Sequence, residues 1–178
     1  MFIWTAILIE PQLLNQKKRL LEVERQVDFK NPVASTLPLH ISLKISSEVP
    51  KQTELSLRKD IENLFKTIKP FDIELDKIEH NETIVWIKIK NNNNLINLHD
   101  KICSLFNKKY SILLHEFDKS FIFHTTLIMD KDSKKVEEAF NELKNMELPK
   151  VVHVDRFVIG ASMSGIAGTY FVDKEIII

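Results

Sequence analysis

The chain has 178 residues, with 25 basic and 25 acidic side chains that cancel, and neutrality excludes the broad attraction for long nucleic acid that a basic protein exerts. A chain of this length buries about 70% of its unfolded surface, enough for one domain, or two small lobes on a shared core, without a covalent staple. The lone Cys103 excludes an internal disulfide. Lying in an amphipathic stretch with no partner histidine in view, it reads as a buried, reduced thiol of a cytosolic protein and not as a nucleophile.

Met1 to Ile9 is apolar but short, has no basic leader and ends at Glu10-Pro11, so it reads as a first strand, Phe2 to Glu10, and not as a signal or a span. No other apolar run approaches spanning length, and a cytoplasmic protein is expected. A helix follows from about Pro11 to Gln26, with proline in its first turn. After a loop containing Asn31-Pro32 and Ser35-Thr36, Leu37 to Ile45 alternates. Leu37, Leu39, Ile41, Leu43 and Ile45 face one way, and Pro38, His40, Ser42 and Lys44 the other. The spacing of Leu57, Ile61, Leu64, Phe65 and Ile68 predicts a helix over Thr53 to Ile68.

Strands Phe71 to His80 and Thr83 to Lys90 come next, joined tightly at Asn81-Glu82. The run Asn91 to Asn94 reads as a loop and cap for a helix from Leu95 to Lys108. Lys109 to Ser120 is polar and aperiodic, and reads as a mobile segment. It precedes a strand, Phe121 to Met129, in which His124 and Thr126 share a face with Ile122 and Ile128. A helix from Ser133 to Met146, capped by Ser133, and strands Val151 to Ala161 and Gly168 to Ile178 complete the chain. The order strand, helix, histidine strand, helix, strand occurs twice, over residues 2–80 and 83–161, with a closing strand at 168–178. This predicts one domain of two duplicated, intertwined lobes.

The informative strings are His40-Ile41-Ser42-Leu43 and His124-Thr125-Thr126-Leu127. Residues two apart on a strand share a face, so each string sets an imidazole beside a hydroxyl. The other four histidines (His80, His99, His115, His153) do not repeat the pattern. Two imidazoles facing each other can take a proton from a nucleophile and give one to a leaving oxygen, which in-line cleavage of a phosphodiester requires. The Ser42 and Thr126 hydroxyls can donate to the non-bridging phosphoryl oxygens. Lys44, on the same predicted face, reads first as a solvated strand-end charge and second as a phosphate ligand.

These two motifs, with Leu37-Pro38-Leu39 before the first, Phe121-Ile122-Phe123 before the second, and Val154-Asp155-Arg156-Phe157 and Gly168-Thr169-Tyr170 in the tail, resemble the two-histidine (2H) phosphoesterase superfamily. The 2′-5′ RNA ligase-like branch is the most similar. The resemblance implies an α+β, bilobal, pseudo-twofold fold, each lobe a mainly antiparallel sheet with helices on its outer face and a cleft between the sheets. It implies metal-independent chemistry, without a cofactor, on 2′,3′-cyclic phosphates, 2′-5′ linkages or RNA 3′ ends. His40 and His124 become the acid–base pair, with His124 the base and His40 the acid in hydrolysis, and Ser42 and Thr126 bind phosphate. Leu39 and Phe123 stand where many members have proline before the histidine, and Thr125 is less apolar than usual.

The implied partner is a nucleotide or short RNA; neither a membrane nor an obligate protein partner is implied. A binding module of the same fold without turnover is the alternative. A metal site at His40 and His124 is disfavoured because neither motif has Asp, Glu or Cys at ligand spacing. Tyr170 and Trp86 read as packing before base stacking, and Arg156 as a surface residue. Substrate selection is expected in the loops at 27–36 and 109–120.

Overall fold

The computed structural model describes residues 1–29, 32–166 and 168–178. Its strands form two four-stranded sheets, with antiparallel pairing throughout. The first sheet has the order β2-β1-β7-β8, from β1 (Phe2–Leu8), β2 (His40–Glu48), β7 (Arg156–Ser162) and β8 (Phe171–Ile177). The second has the order β5-β4-β3-β6, from β3 (Phe71–His80), β4 (Ile84–Ile89), β5 (His124–Met129) and β6 (Val151–Val154). The histidine strands β2 and β5 are therefore edge strands of different sheets, and they touch each other. The motifs meet at that seam.

The helices are α1 (Leu14–Val27), α2 (Val33–Thr36), α3 (Lys51–Lys66), α4 (Asn93–Ser104) and α5 (Ser133–Leu143). Helix α3 lies on β7 and β8, α5 on β3, β4 and β5, and α4 on β2. Their apolar stripes and the inner sheet faces make one core, from Ile3 and Ile41 through Phe65 and Phe157 to Ile87 and Leu127. Burial of this apolar area drives the fold. Asn92 caps α4, accepting from the Asn94 and Leu95 amides, as the asparagine run predicts. Helix α5 is capped by Asp132, whose side chain accepts from the Lys134 amide; the expected cap, Ser133, is already helical. The single strand expected over Val151 to Ala161 is two strands, broken at Asp155 and paired into different sheets. That crossing carries the chain from the second sheet into the first.

A second, smaller cluster covers the opposite face of the first sheet: Trp4, Ala6, Leu8 and Val158, with Leu37, Tyr170 and Val172 against it. Trp4 lies flat on Gly160, where a Cβ would stand 1.9 Å from its Cε2. Gly160→Ala must displace the indole, at about 1–3 kcal/mol for an overpacked site. A lower Tm with altered tryptophan emission is expected, and an unchanged melting curve would contradict the packing.

Candidate active site

Both motif strands bend at the same point. Ala6 pairs with Ser42 and Thr5 with Lys44, so two residues of β2, Leu43 and Lys44, oppose one of β1. Trp86 pairs with Thr126 and Val85 with Ile128, giving the same irregularity at Leu127 and Ile128. A bulge of this kind breaks the alternation of faces and re-aims the next side chain. Leu43 and Lys44 are both buried, as are Leu127 and Ile128. His40 and Ser42 keep one face, and His124 and Thr126 keep one face, all four half-buried.

The bulges correct two expectations. Lys44 is neither solvated nor beside His40: it is 0% exposed, and its Nζ is 2.6 Å from Asp118 Oδ2. Nζ also donates to Ile45 O at 2.6 Å and Ser47 Oγ at 2.9 Å, which uses all three of its protons. Ile128 likewise turns into the core and does not share the His124 face. Strict alternation misplaced both because periodicity carries no mark of an inserted residue.

The two rings are held alike. His40 Nδ1 donates to Pro38 O at 2.7 Å, and His124 Nδ1 donates to Ile122 O at 2.8 Å. A carbonyl only accepts, so each Nδ1 carries the proton and each Nε2 is the nitrogen left for chemistry. Trp4 packs on the His40 ring, with centroids 4.9 Å apart, and Trp86 meets the His124 ring edge-on at 6.3 Å. Burial pushes the His40 pKa below its ordinary value. The Pro38 carbonyl opposes this, and the nearby His124 and Lys17 charges add to it. The two rings are thus close enough for charge on one to disfavour charge on the other.

Two residues outside the motifs anchor the approach to His40. Glu10 Oε2 accepts from the Leu39 amide at 2.8 Å and from Lys17 Nζ at 2.7 Å, and Lys17 also donates to Leu37 O at 3.1 Å. Beside His124, across the ladder on the same face, is Lys88, with Trp86 opposite Thr126. Lys88 lies 3.4 Å from Glu79. The wall beside His40, made by Trp4 and the small cluster around it, is thus the more apolar one, and the wall beside His124, where Lys88 stands next to Trp86, is the charged one. Periodicity predicted strand β4 but could not rank Lys88 above other exposed lysines.

A cavity of about 900 Å³ adjoins the apolar wall, sharing Leu37 and Tyr170 with it and lined also by α2 and by Met129 to Asp132. Helix α2 is held there by Glu24, whose Oε1 accepts from the Ala34 amide at 2.8 Å. This places Pro32 to Thr36, part of the loop expected to select substrate, at the cavity; Lys30 and Asn31 lie outside the described residues. Tyr170 hydrogen-bonds Ser46 Oγ at 2.7 Å and donates to Gly165 O at 3.0 Å. Arg156 pairs with Asp155 and Glu175 at the surface.

The segment read as mobile, Lys109 to Ser120, includes the short turn Glu116–Asp118 with Asp118 buried. Cys103 does have a histidine neighbour: its Sγ is 3.5 Å from His99 Nε2. The i, i+4 spacing of His99 and Cys103 on one helix was a usable signal. The thiol is nonetheless pushed up to about 12, by burial above all, which removes it as a nucleophile. Ligand-type atoms of His99, Cys103 and Asp118 lie within 4.8 Å of one another. Both His99 nitrogens, however, lie against backbone carbonyls, and the Asp118 carboxylate holds Lys44 and two amides. The donor set is occupied by the protein itself and does not fit a metal ion.

No helix among the described residues is long and apolar enough to cross a membrane. Comparison with solved structures finds the same architecture over essentially the whole chain. The chain is 19% identical to E. coli LigT complexed with 3′-AMP, covering 98% of this chain and 96% of that one, with a TM-score of 0.59. TT0787 of Thermus thermophilus is 18% identical over 99% and 97% of the two chains, with a TM-score of 0.67. No curated protein matches the chain. The family model of the 2′-5′ RNA ligase superfamily matches residues 13–162, a span that includes both motifs, the whole second sheet and strands β2 and β7 of the first. The chain belongs to the 2′-5′ RNA ligase superfamily and has the two-sheet fold of the two-histidine phosphoesterases.

Proposed function

We propose that this protein is a metal-independent phosphodiesterase acting on 2′,3′-cyclic phosphate or 2′-5′ linked nucleotides, with RNA-end ligation as the same chemistry reversed. The observation that carries the reading is the matched pair of imidazoles. Each has Nδ1 fixed by the carbonyl two residues earlier, and the two lie on edge strands that meet. In this reading one Nε2 takes the proton of the attacking water or hydroxyl. The other delivers a proton to the departing ribose oxygen as the phosphorus–oxygen bond breaks. Ser42 and Thr126 donate to the non-bridging oxygens, where charge accumulates. Lys88 lends a cation on the charged wall, and the apolar wall with the adjoining cavity receives the base. The likeness to a LigT chain that holds 3′-AMP supports a nucleotide ligand.

Burial favours the neutral ring at His40, which suits it to accept the first proton and leaves His124 as donor. This reverses the assignment that the family resemblance implied. A base must be unprotonated, so kcat/KM is expected to fall as pH drops through the lowered His40 value, an acid limb with its midpoint below the ordinary 6.5. The test is turnover of 2′,3′-cyclic nucleotides and short 2′-5′ oligonucleotides in EDTA across pH, with products resolved by chromatography. Cleavage in EDTA with an acid limb below 6.5 supports the reading. Tight nucleotide binding without any product favours the binding module, and activity abolished by EDTA favours a metal-dependent hydrolase.

A further inference from the structure

A buried polar cluster connects the two motif strands without touching either reactive ring. On one side it grips β2 just past Ser42: His99 Nδ1 is 2.8 Å from Leu43 O, and Asp118 Oδ1 accepts from the Ile45 amide at 3.2 Å. Lys44, from the same bulge, closes on Asp118 Oδ2 at 2.6 Å. On the other side the cluster holds the chain that delivers His124. Asp118 Oδ2 accepts from the His115 amide at 3.0 Å and Asp118 O lies 3.0 Å from His99 Nε2. The His99 ring stacks on Phe121 at 4.5 Å and meets Phe123, the residue before His124, edge-on at 6.0 Å. Helix α4, which carries His99, thus packs its imidazole between the first motif and the entry to the second.

The bulge does not itself need a cation there. At the matching bulge of β5 the corresponding residue is Ile128, buried among apolar neighbours. Nor is a buried ion pair more stabilising than an apolar filling of the same volume. What distinguishes the first bulge is its reach to the segment of the other half. We propose that His99, Asp118 and Lys44 are positioning residues for the two-histidine site. They fix the strand bearing Ser42 against the segment that delivers His124, and so set the gap between the two rings. The proposal rests on the phosphoesterase reading for its kinetic consequence, but its structural consequence stands apart from that reading.

The experiment compares wild type, His99→Phe, which keeps a stacking ring but loses the nitrogen contacts to the Leu43 and Asp118 carbonyls, Asp118→Asn, which keeps the shape but loses the charge, and Leu57→Ala. Leu57 is a buried residue of α3, which packs on β7 and β8, away from the pairing of β2 with β5, and serves as a control for lost stability. Each variant is assayed below its Tm for turnover of 2′,3′-cyclic nucleotides, and its imidazoles are titrated by NMR. Misplacing reacting groups by about 1 Å costs on the order of 100-fold. The expected result for His99→Phe and Asp118→Asn is a kcat about 10- to 100-fold lower with KM little changed. The His40 titration should also move up towards 6.5 as the rings part. Leu57→Ala should lower Tm and leave both readings alone. Wild-type kcat and His40 titration in both cluster variants would overturn the proposal. Were wild type to turn over nothing while the His40 titration still moved in the cluster variants, the positioning role would stand and the phosphoesterase reading would fall. If the titration stayed put as well, both would fall.

Discussion

His124→Ala is expected to lower kcat on a cyclic phosphate or 2′-5′ linked substrate by about 10²–10⁴-fold while the protein still folds, and His40→Ala should do the same. The fold is expected to survive because His124 is half-buried at the start of an edge strand, with only the Ile122 carbonyl and the edge of Trp86 to lose. KM should change little, since phosphate is held by Ser42 and Thr126 in this reading and those hydroxyls remain. The double variant should be hardly worse than the poorer single one. An acid and a base that act in one transition state fail together, and their losses do not add. Steady-state kinetics of the two single variants and the double variant checks this. A His124→Ala protein with wild-type kcat would remove the two-histidine mechanism outright. Wild-type kcat in His40→Ala alone would leave His124 without a partner base and point instead to water activated elsewhere at the seam.

Breaking the Lys44–Asp118 pair from one side is expected to cause the largest loss of stability of any single change at the seam. Lys44→Met leaves the Asp118 carboxylate buried without its cation, a change worth about 3–5 kcal/mol. That is a large share of the roughly 5–15 kcal/mol by which native proteins are stable. In a chain of this size it corresponds to a fall in Tm of roughly 6–20 °C. Replacing both partners, Lys44→Met with Asp118→Leu, should cost clearly less than the sum of the singles, because the unpaired charge is gone. Recovery will be incomplete, since the Ile45 and His115 amides lose the acceptor they share. Urea unfolding of the four proteins in a double-mutant cycle measures the coupling. Additive losses would show that the pair contributes nothing beyond the separate packing of its members.

The elements were legible where their signals are local. Strand β3 runs over Phe71–His80 as the alternation predicts, and α3 over Lys51–Lys66 lies within two residues of its predicted bounds. The two motifs could be found because chemistry-bearing residues recur at the same spacing in matching strands. The pairing partners of each strand could not be read. Nothing local in Val151 to Ser162 says that its two parts enter different sheets, because that choice is made by distant partners: β3 for the first and β1 for the second. The bulges at Leu43–Lys44 and Leu127–Ile128 were illegible for a related reason, since a bulge is a relation between two strands. Hence strict alternation puts Lys44 on the wrong face, and the Asp118 segment, polar and without period, carries no sign that its carboxylate is fully engaged. His99 lacks the motif, and its spacing to Cys103 is the one local mark of a shared helical face.

The Nδ1–carbonyl bond from each motif histidine to the residue two before it has a consequence for how independently the two rings are set. The ring, the carbonyl that sets its tautomer and the hydroxyl beyond it belong to one short run of chain, 38–42 in one strand and 122–126 in the other. Each strand therefore carries a ring already oriented by its own backbone, and that orientation asks nothing of the opposite strand. A change outside those runs can move the rings apart or together without turning either one. The bulge just past each run is accordingly free to differ, with a lysine in β2 and an isoleucine in β5.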